Sequence, residues 1–429
     1  MGIIVERPGL RRFLLASGRR LLYGRRKTGK TFYARHVLRD YEYFIVRKGG
    51  TVYDPLNDEE LDTSAFIRVC RHTDGIILDE FHRANPRLFD AVQAGVCSEN
   101  LVFITSTLHY YRVFVEGPEA PLTGLFLSKR VGLLSPLELL AVQGWGLEGR
   151  ELVERLVYYQ EPVLIGRSVR DIVLHGRELA HTLVGEVLDE EDYTYTRRFD
   201  AVLEAIAAGK TKLTEIASYL YSRGLLEKPS TSLITKYVKT MVETGLLERI
   251  ETLGKKRRSV YRHVSPLTET IYYLEARYGF GETPLPWSYI EKALQTLIPR
   301  LVERFVERFL SEYYGLRPVR IESPEIDVAL VEYQSLRLVA EVKWVNRLST
   351  SDMKRIEAKL ARFPEAEKIL IVPDKAIVPE TWLRVWDIGD LVAKAREKLS
   401  KEDTKIQALP GNSPSKSLHS YSGSGTNIG

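Results

Sequence analysis

Nine residues decide the fold of this chain: Tyr23-Gly24-Arg25-Arg26-Lys27-Thr28-Gly29-Lys30-Thr31. They contain the spacing G-x-x-x-x-G-K-[ST], in which the two glycines permit a tight backbone turn. The apolar run 21–23 before the turn predicts a short buried strand, and residues 31–40 after it predict a helix. A strand, a glycine-rich loop and a helix in this order point backbone N–H groups at an anion. The sequence therefore predicts a nucleoside triphosphate site, and a chance Gly/Lys-rich turn is the alternative.

Each part of this loop has a predicted role in holding a triphosphate. Backbone N–H groups along residues 24–31 surround the phosphates, so all eight residues are candidates for nucleotide binding. The ammonium group of Lys30 reaches the β- and γ-phosphate oxygens, and the hydroxyl of Thr31 holds a magnesium ion.

A second segment, Ile76-Ile77-Leu78-Asp79-Glu80-Phe81, reads as a buried parallel strand that ends in two carboxylates. Asp79 is suited to hold the magnesium ion from the side opposite Thr31, and Glu80 to orient or deprotonate the attacking water. A third strand-like run, 101–107, ends in hydroxyl groups, and Ser106 is a candidate sensor of the γ-phosphate. An ordinary polar strand end is the alternative for Ser106.

The composition is typical of a globular protein with more than one domain. Apolar residues make up 44% of the 429 residues and charged residues 28%, a length that suits roughly two to four domains. No apolar run is long enough to span a membrane, and the N-terminus lacks the order of a signal peptide. The only cysteines, Cys70 and Cys97, exclude a disulfide framework and suit a reducing compartment. We therefore expect a cytoplasmic protein without a membrane partner.

Changes of pattern divide the chain into five parts. Alternating strands and helices predict a parallel sheet covered on both faces, followed by helices, a three-helix unit with a hairpin, and a small mixed α/β layer. The boundaries predicted are 1–135 for the nucleotide domain, 136–192 for a helical lid or connector, 193–283 for a winged helix-turn-helix, 284–400 for the mixed α/β domain and 401–429 for a disordered tail.

The third part carries the residues expected to meet nucleic acid. Its predicted helices span 197–208, 213–220 and 232–244, and a hairpin follows them. The net charge of the whole chain is only +5, so binding would depend on local clusters of cations. The candidates for phosphate and groove contacts are Lys236, Lys239, Lys255, Lys256, Arg257 and Arg258. A solvated turn on a module for protein docking is the alternative to duplex DNA binding.

A second candidate site lies in the mixed α/β part. Asp327 is on one predicted strand and Glu341 and Lys343 are on the next, so antiparallel pairing brings the two carboxylates and the lysine together. Such a group binds a divalent cation through Asp327 and Glu341, and Lys343 activates water for phosphodiester hydrolysis. Glu303 on the preceding helix could complete the metal shell. The alternative is an ordinary hairpin with a surface Glu–Lys pair.

These motifs together resemble a known family. The chain resembles the archaeal ATPases of the STAND and AAA+ division of P-loop NTPases in five segments, GRRKTGKT at 24–31, IILDEF at 76–81, FITST at 103–107, SPL at 135–137 and YRHVSP at 261–266. Two further segments, PEIDVAL at 324–330 and AEVKW at 340–344, resemble the nuclease-like domain of the PD-(D/E)xK superfamily.

The resemblance implies a RecA-like core that uses ATP and magnesium, with a C-terminal nuclease-like domain and its own divalent cation. Family members usually carry a Gly-Arg pair after the sensor strand, which serves as an arginine contact to the nucleotide. The matching stretch here is 125–130, where Arg130 or Lys129 would take that role. The loop also has Lys27-Thr28 where related sequences often have Arg and a small apolar residue.

Three hypotheses for the function follow. The first is an ATP-hydrolysing protein that acts on DNA, with metal-dependent nuclease activity as its further hypothesis. The second is a regulatory switch in which ATP controls assembly with a protein partner or with further copies of the chain, while the last domain is catalytically silent. The third is a loader or motor that moves nucleic acid without cutting it.

Overall fold

The structure is a computed structural model that describes residues 3–106, 112–116, 120–190, 196–254 and 258–407. Within these ranges the fold is α/β, with a large sheet near the N-terminus, a helical middle and a smaller C-terminal sheet. The predicted fold class is thereby confirmed. The predicted domain boundaries stay predictions.

The N-terminal part alternates helices and strands. In chain order it contains α1 (Pro8–Leu15), β1 (Arg20–Tyr23), α2 (Lys30–Val37), β2 (Glu42–Val46), β3 (Val52–Asp54), β4 (Glu59–Leu61), α3 (Thr63–His72), β5 (Ile76–Asp79), α4 (Pro86–Gln93), β6 (Leu101–Ile104) and β7 (Leu127–Arg130).

These seven strands form one sheet in the order β4-β3-β2-β5-β6-β1-β7. From β2 to β7 the neighbours in this order are parallel, and the hairpin β3–β4 adds two antiparallel strands at the edge. Strand β6 lies between β1 and β5, so the phosphate loop and the acidic segment follow strands that are not adjacent. The register still aligns their ends, because Leu22 and Asp79 both pair with Ile104.

Side chains of the central strands alternate between two separate apolar cores. Strand residues point to opposite faces in turn, and helices cover both faces of a parallel sheet. One core contains Leu21, Phe44, Leu78 and Phe103. The other contains Leu22, Ile77, Val102 and Ile104. Because both faces of the sheet are packed, the ends of the strands fix the positions of the residues that follow them.

The middle of the chain is helical and includes the only long hairpin outside the two larger sheets in the described ranges. Its elements are α5 (Pro136–Ala141), α6 (Gly149–Tyr159), α7 (Val169–Glu190), α8 (Arg197–Ala207), α9 (Leu213–Ser222), α10 (Thr231–Glu243), β8 (Leu247–Glu251), β9 (Ser259–His263) and α11 (Pro266–Tyr278). The three helices and the hairpin predicted for the winged unit are present within a few residues of their predicted limits. Helix α11, which the sequence analysis did not predict, follows them.

The C-terminal part is built on a long helix and a mixed sheet. Its elements are α12 (Trp287–Tyr314), β10 (Arg317–Glu322), β11 (Glu325–Glu332), β12 (Ser335–Val342), α13 (Thr350–Leu360), β13 (Glu367–Ile371), β14 (Arg384–Trp386) and α14 (Ile388–Gln407). Strands β10 to β12 are antiparallel, and β13 and β14 continue the sheet in parallel pairing.

Two sequence interpretations differ from the structure. Helix α14 buries Leu391, Ala395 and Leu399 and continues to Gln407, past residue 401, where the disordered tail was predicted to begin. Residues 408–429 lie outside the described residues.

The other difference concerns the cysteines. Cys70 and Cys97 form a disulfide in the structure, whereas the sequence interpretation took them as reduced. Both are buried in the same core below the sheet, which brings residues 27 positions apart into contact. The cytoplasmic location, for which these cysteines were one argument, stays a prediction. Within the described ranges, every helix is too short or too polar to span a lipid bilayer.

Candidate nucleotide site and acidic site

The phosphate loop and the acidic strand end meet at the carboxyl edge of the large sheet. Thr31 is the last residue of the loop motif and the second residue of α2, and its Oγ1 donates a hydrogen bond of 2.6 Å to Oδ2 of Asp79 at the end of β5. The two residues are 48 positions apart in the chain. The structure therefore brings together the hydroxyl and the carboxylate that the sequence analysis assigned to one magnesium ion.

The loop itself is closed around the ammonium group of Lys30. Lys30 Nζ donates to the carbonyl oxygens of Gly24 at 2.6 Å and of Arg25 at 2.8 Å. The hydroxyl of Thr28 also donates to the Arg25 carbonyl, at 3.0 Å. These contacts place the positive charge inside the curve of the loop, where a polyphosphate would lie.

Both glycines of the motif are required by the backbone. Gly24 has φ 130°. A Cβ atom at this position would lie 2.6 Å from the carbonyl oxygen of Val131, the residue that follows β7. Gly29 has φ 82° and immediately precedes α2. A side chain at either position would be strained or would clash, which explains their place in the motif.

Asp79 is buried, with 8% of its surface exposed. Burial raises the pKa of its carboxyl group, and the hydrogen bond from Thr31 opposes this rise. Tyr43 also donates to Oδ2, at 3.2 Å. A bound cation would offset the burial of this charge, so the Thr31 hydroxyl and the Asp79 carboxylate fit a magnesium ion that also binds phosphate oxygens.

Glu80 has a backbone conformation that is rare for a residue with a side chain. Its φ of 54° lies in the left-handed region, where non-glycine residues are uncommon and often functional. Ser106 Oγ donates to Glu80 Oε1 at 3.3 Å, and Arg83 Nη2 lies 3.1 Å from Oε2. Ser106 thus contacts the expected catalytic carboxylate and follows strand β6, which lies between the two motifs.

A histidine lies beside this carboxylate. His82 Nε2 is 3.6 Å from Glu80 Oε2, and its Nδ1 is 3.0 Å from the Thr105 hydroxyl. Burial lowers the pKa of His82 to about 4, so the ring is neutral at physiological pH. It can orient Thr105 or Glu80 without adding charge to the site.

Arg130 and Lys129, the candidates for the arginine contact of the family, have other neighbours in the structure. Arg130 lies at the end of β7, and its guanidinium lies against Gly245, which follows α10. Lys129 lies over the ring of Phe13, with Nζ 5.9 Å from the ring centroid. Their assignment to the nucleotide therefore stays a prediction without a contact to support it.

Two arginines, Arg7 and Arg25, make contacts at the loop that the sequence analysis did not predict. Arg7, which is 7% exposed, donates to the Thr28 carbonyl at 3.1 Å and lies 3.4 Å from Glu138. The side chain of Arg25 is paired with Glu161 in the connector. These partners are more than 100 residues apart, so no local spacing could have indicated the pairs. Lys27 of the loop also forms an ion pair, with its Nζ 3.5 Å from Glu186 Oε2.

A cavity of about 310 Å³ lies beside the loop. Its volume is within the usual range for a small-molecule pocket, and its lining is mostly apolar with the loop backbone on one side. Such a wall suits a nucleobase next to a phosphate loop. The lining includes Val5, Gly29, Phe32, Leu134, Val163 and Ile165.

The second candidate site is assembled by strands β11 and β12. Val328 pairs with Ala340, so the preceding Asp327 lies level with Glu341. Asp327 Oδ2 accepts a hydrogen bond from the Val342 backbone at 2.9 Å. Lys343 Nζ lies 2.6 Å from Glu341 Oε1 and 3.5 Å from Asp327 Oδ2. The structure therefore brings these three side chains together, as the alternation of strand residues predicted.

The acidic group is buried and already contacts two lysines. Lys359 of α13, which the sequence analysis missed, also donates to Glu341 Oε1, at 2.6 Å. Glu341 Oε2 is buried and has no hydrogen-bond partner among the described residues. Burial raises the pKa of Glu341, and the nearby Asp327 adds to this rise. Burial, followed by the charge of Asp327, raises the pKa of Glu303 to about 7.

These carboxylates do not form a complete metal cluster. Across the part of the chain that the structure describes, no three His, Cys, Asp or Glu side chains are grouped closely enough to hold a metal ion. The ammonium groups of Lys343 and Lys359 occupy one oxygen of Glu341 in this arrangement. The predicted divalent cation at Glu303, Asp327 and Glu341 thus does not fit the side chains as they are placed.

Three of the six candidate DNA-binding residues lie within the described ranges. Lys236 and Lys239 are exposed on α10, and Arg258 is exposed at the start of β9. Lys255, Lys256 and Arg257 lie outside the described residues. The base of the hairpin contacts the C-terminal sheet, because the Leu253 backbone donates to the Arg320 carbonyl at 2.8 Å and Arg317 pairs with Glu251 at 3.0 Å.

Comparisons with known proteins gave matches only among solved structures. No family model and no curated protein matches the chain. The chain is similar to the Walker-type ATPase PABY2304 of Pyrococcus abyssi, at 16% identity and a TM-score of 0.43, over 63% of this chain and 96% of that one.

Two further solved structures are from Aeropyrum pernix. The ORC2 protein in its ADP form has 14% identity and a TM-score of 0.30, over 69% of this chain and 95% of that one. The ORC1 protein in complex with DNA has 15% identity and a TM-score of 0.28, over 64% of this chain and 94% of that one.

Proposed function

We propose that the chain binds and hydrolyses ATP with magnesium. The observation that carries the proposal is the 2.6 Å contact between Thr31 and Asp79, which joins the phosphate loop to the acidic strand end. Phosphoryl transfer depends mainly on positioning and on charge stabilisation, and this edge of the sheet supplies both. The apolar cavity beside Gly29 supports a nucleobase as the other half of the ligand.

Each residue of the site has a separate role in the proposed hydrolysis. The loop backbone and Lys30 bind the phosphates and stabilise the charge that develops on the leaving group. Thr31 and Asp79 would hold magnesium, which supplies further charge neutralisation between the β- and γ-phosphates. Glu80 would orient the attacking water and accept its proton, and Ser106 would hold the Glu80 carboxylate. The experiment is Mg²⁺-dependent phosphate release by the wild-type chain beside the variant Lys30→Ala.

We further propose that DNA is the macromolecular partner, bound through the three-helix unit. The support is the pair of exposed lysines on α10, which follows a helix and a turn and is itself followed by the hairpin β8–β9. Exposed lysines one turn apart on one helix face can contact successive phosphates.

The variant Lys236→Ala/Lys239→Ala should bind duplex DNA more weakly and with a flatter salt dependence. Each lost phosphate contact lowers the slope of log affinity against log salt by about 1. Titration of fluorescent duplex DNA at several salt concentrations measures the slope. Replacing all four wing cations at 255–258 by Ala should add to this loss if the wing takes part.

The matched control is Lys354→Ala, since Lys354 is an exposed lysine on the separate helix α13. It should leave affinity and slope unchanged. An α10 variant that behaves like this control would exclude the helix as the DNA contact.

Cleavage of phosphodiesters is a second candidate activity for the C-terminal part. It is favoured by the convergence of Asp327, Glu341 and Lys343 and by the buried Glu341 oxygen that has no partner within the described ranges. We assign no step to a metal ion, because the carboxylates do not form a metal cluster as placed.

Asp327→Ala should lower DNA nicking on the order of 10²-fold, because it removes one of the two carboxylates that contact Lys343. A nicking assay on supercoiled DNA with Mg²⁺ or Mn²⁺ measures the effect. Glu332→Ala is the control, since Glu332 is an exposed carboxylate on the same strand.

No cutting by the wild-type chain would instead favour the regulatory switch or the loader. The switch is supported by the contacts of the hairpin base with the C-terminal sheet and by a further contact of 2.7 Å between Lys212, which precedes α9, and Glu322 of β10. In that case a protein partner or another copy of this chain would replace DNA.

A further inference from the structure

The side chains of Arg25 and Glu161 form a buried ion pair between the phosphate loop and the connector. Arg25 Nη2 lies 2.6 Å from Oε1 and 2.5 Å from Oε2 of Glu161. The side chains are 5% and 0% exposed. Glu161 is the second residue after α6, so the pair joins positions 136 residues apart.

Burial makes this contact obligatory for both residues. A carboxylate removed from water is strongly unfavourable unless a cation stays beside it, and the same holds for a guanidinium. The place of Glu161 therefore fixes the place of the Arg25 side chain, and with it the backbone at residue 25.

That backbone holds the central cation of the nucleotide site. The Arg25 carbonyl accepts hydrogen bonds from Lys30 Nζ at 2.8 Å and from the Thr28 hydroxyl at 3.0 Å. A continuous set of contacts thus runs from Glu161 through Arg25 to Lys30.

The connector end that carries Glu161 is itself held on its other side. The neighbouring Gln160 accepts from Arg308 Nη1 of α12 at 2.9 Å, and its carbonyl accepts from the Leu134 backbone at 2.9 Å. Both Gln160 and Glu161 are buried. Because contacts on both sides fix Gln160 and Glu161, these residues can hold the loop within the small positional tolerance that a binding site needs.

One donor of the pair remains without a partner. Arg25 Nη1 is buried and makes no hydrogen bond to any described residue. Buried donors in proteins are nearly always paired, so Arg25 Nη1 is available to one further acceptor, such as a water or a ligand atom.

We propose that Glu161 is a positioning residue of the nucleotide site. Through its ion pair with Arg25, it holds in place the Arg25 carbonyl oxygen that accepts the hydrogen bond from Lys30. The proposal rests on the nucleotide binding proposed above. Nothing in the loop motif requires Glu161, which belongs to the connector and takes no part in the motif.

Glu161→Gln, which keeps the size of the side chain, should weaken binding of a fluorescent ATP analogue with Mg²⁺ on the order of tenfold. In turnover assays it should raise KM more than it lowers kcat, because Glu80 and Asp79 are untouched. Glu161→Asp keeps the charge and should recover part of the affinity. A Glu161→Gln variant with the wild-type affinity would overturn the proposal.

A double-mutant cycle tests whether Glu161 acts through Arg25. Arg25→Gln/Glu161→Gln should bind no more weakly than Arg25→Gln alone, and it also leaves no unpaired buried charge that could prevent folding. Losses that multiply in the double variant would overturn the proposal.

The matched control is Glu151→Gln on α6. Glu151 pairs with Arg155 at 2.5 Å, but its side chain is 60% exposed, so nucleotide affinity should stay at the wild-type value. Thermal unfolding checks that each variant is folded. A wild-type chain that binds no ATP would contradict the proposed function, whereas normal wild-type binding with an unaffected Glu161→Gln variant contradicts only the role of Glu161.

Discussion

Lys30→Ala should abolish most ATP turnover, lowering kcat/KM on the order of 10²- to 10³-fold. The ammonium group is held inside the loop by the carbonyls of Gly24 and Arg25, so its charge is already in place before a phosphate arrives. Removing it takes away both ground-state binding and stabilisation of the transition state. The measurement is phosphate release under Mg²⁺, combined with binding of a fluorescent ATP analogue.

Lys27→Ala is the control for this prediction. Lys27 is a cation of the same loop, but its Nζ pairs with Glu186 at 3.5 Å and both side chains are partly exposed. Its removal should change affinity far less than removal of Lys30. Turnover and affinity that survive in Lys30→Ala would mean that the loop does not bind the triphosphate.

Glu80→Gln should lower kcat about 10²- to 10⁴-fold while leaving ATP binding nearly unchanged. The amide keeps the size of the side chain and can still contact Ser106, but it cannot accept a proton from water. Because magnesium is assigned to Asp79 and the phosphates to the loop, binding does not need the Glu80 charge. Single-turnover kinetics and nucleotide affinity, measured on the same preparation, separate the two effects.

Ser106→Ala provides a graded comparison. It removes only the 3.3 Å contact to Glu80 Oε1, so its effect on kcat should be smaller than that of Glu80→Gln and in the same direction. If Glu80→Gln kept full turnover, the base would have to be another group and the mechanism proposed here would be wrong.

The nucleotide site shows which structural features a local sequence pattern can predict. Lys30, Thr31 and Asp79 could be predicted because each lies within a few residues of a strand end, where chemistry and backbone geometry are set together. The sequence did not show that β6 lies between the two motif strands, or that Ser106 contacts Glu80. Strand order depends on which apolar faces pack together, and several orders are compatible with the same alternation of strands and helices.

The role of Arg130 stays a prediction. The position was assigned by resemblance to a family whose sequence differs at this point, and the side chain lies against Gly245. The convergence of the acidic side chains was predicted from local pattern, since Asp327 and Glu341 are on strands joined by a short turn and lie directly next to the paired residues Val328 and Ala340. Lys359 was missed because it comes from α13, whose placement on the sheet depends on long-range packing.

Short stretches of sequence encode the local features on which the proposed chemistry depends: a loop whose glycines permit positive φ, a lysine inside it, and carboxylates at the end of a buried strand. These features are encoded within short stretches, because backbone conformation and side-chain alternation are local properties. Which distant groups support these features depends on the folded chain. Glu161 meets Arg25 and Arg7 meets Glu138 only there, since each pair joins residues more than 100 positions apart, and burial then requires each charge to keep its partner.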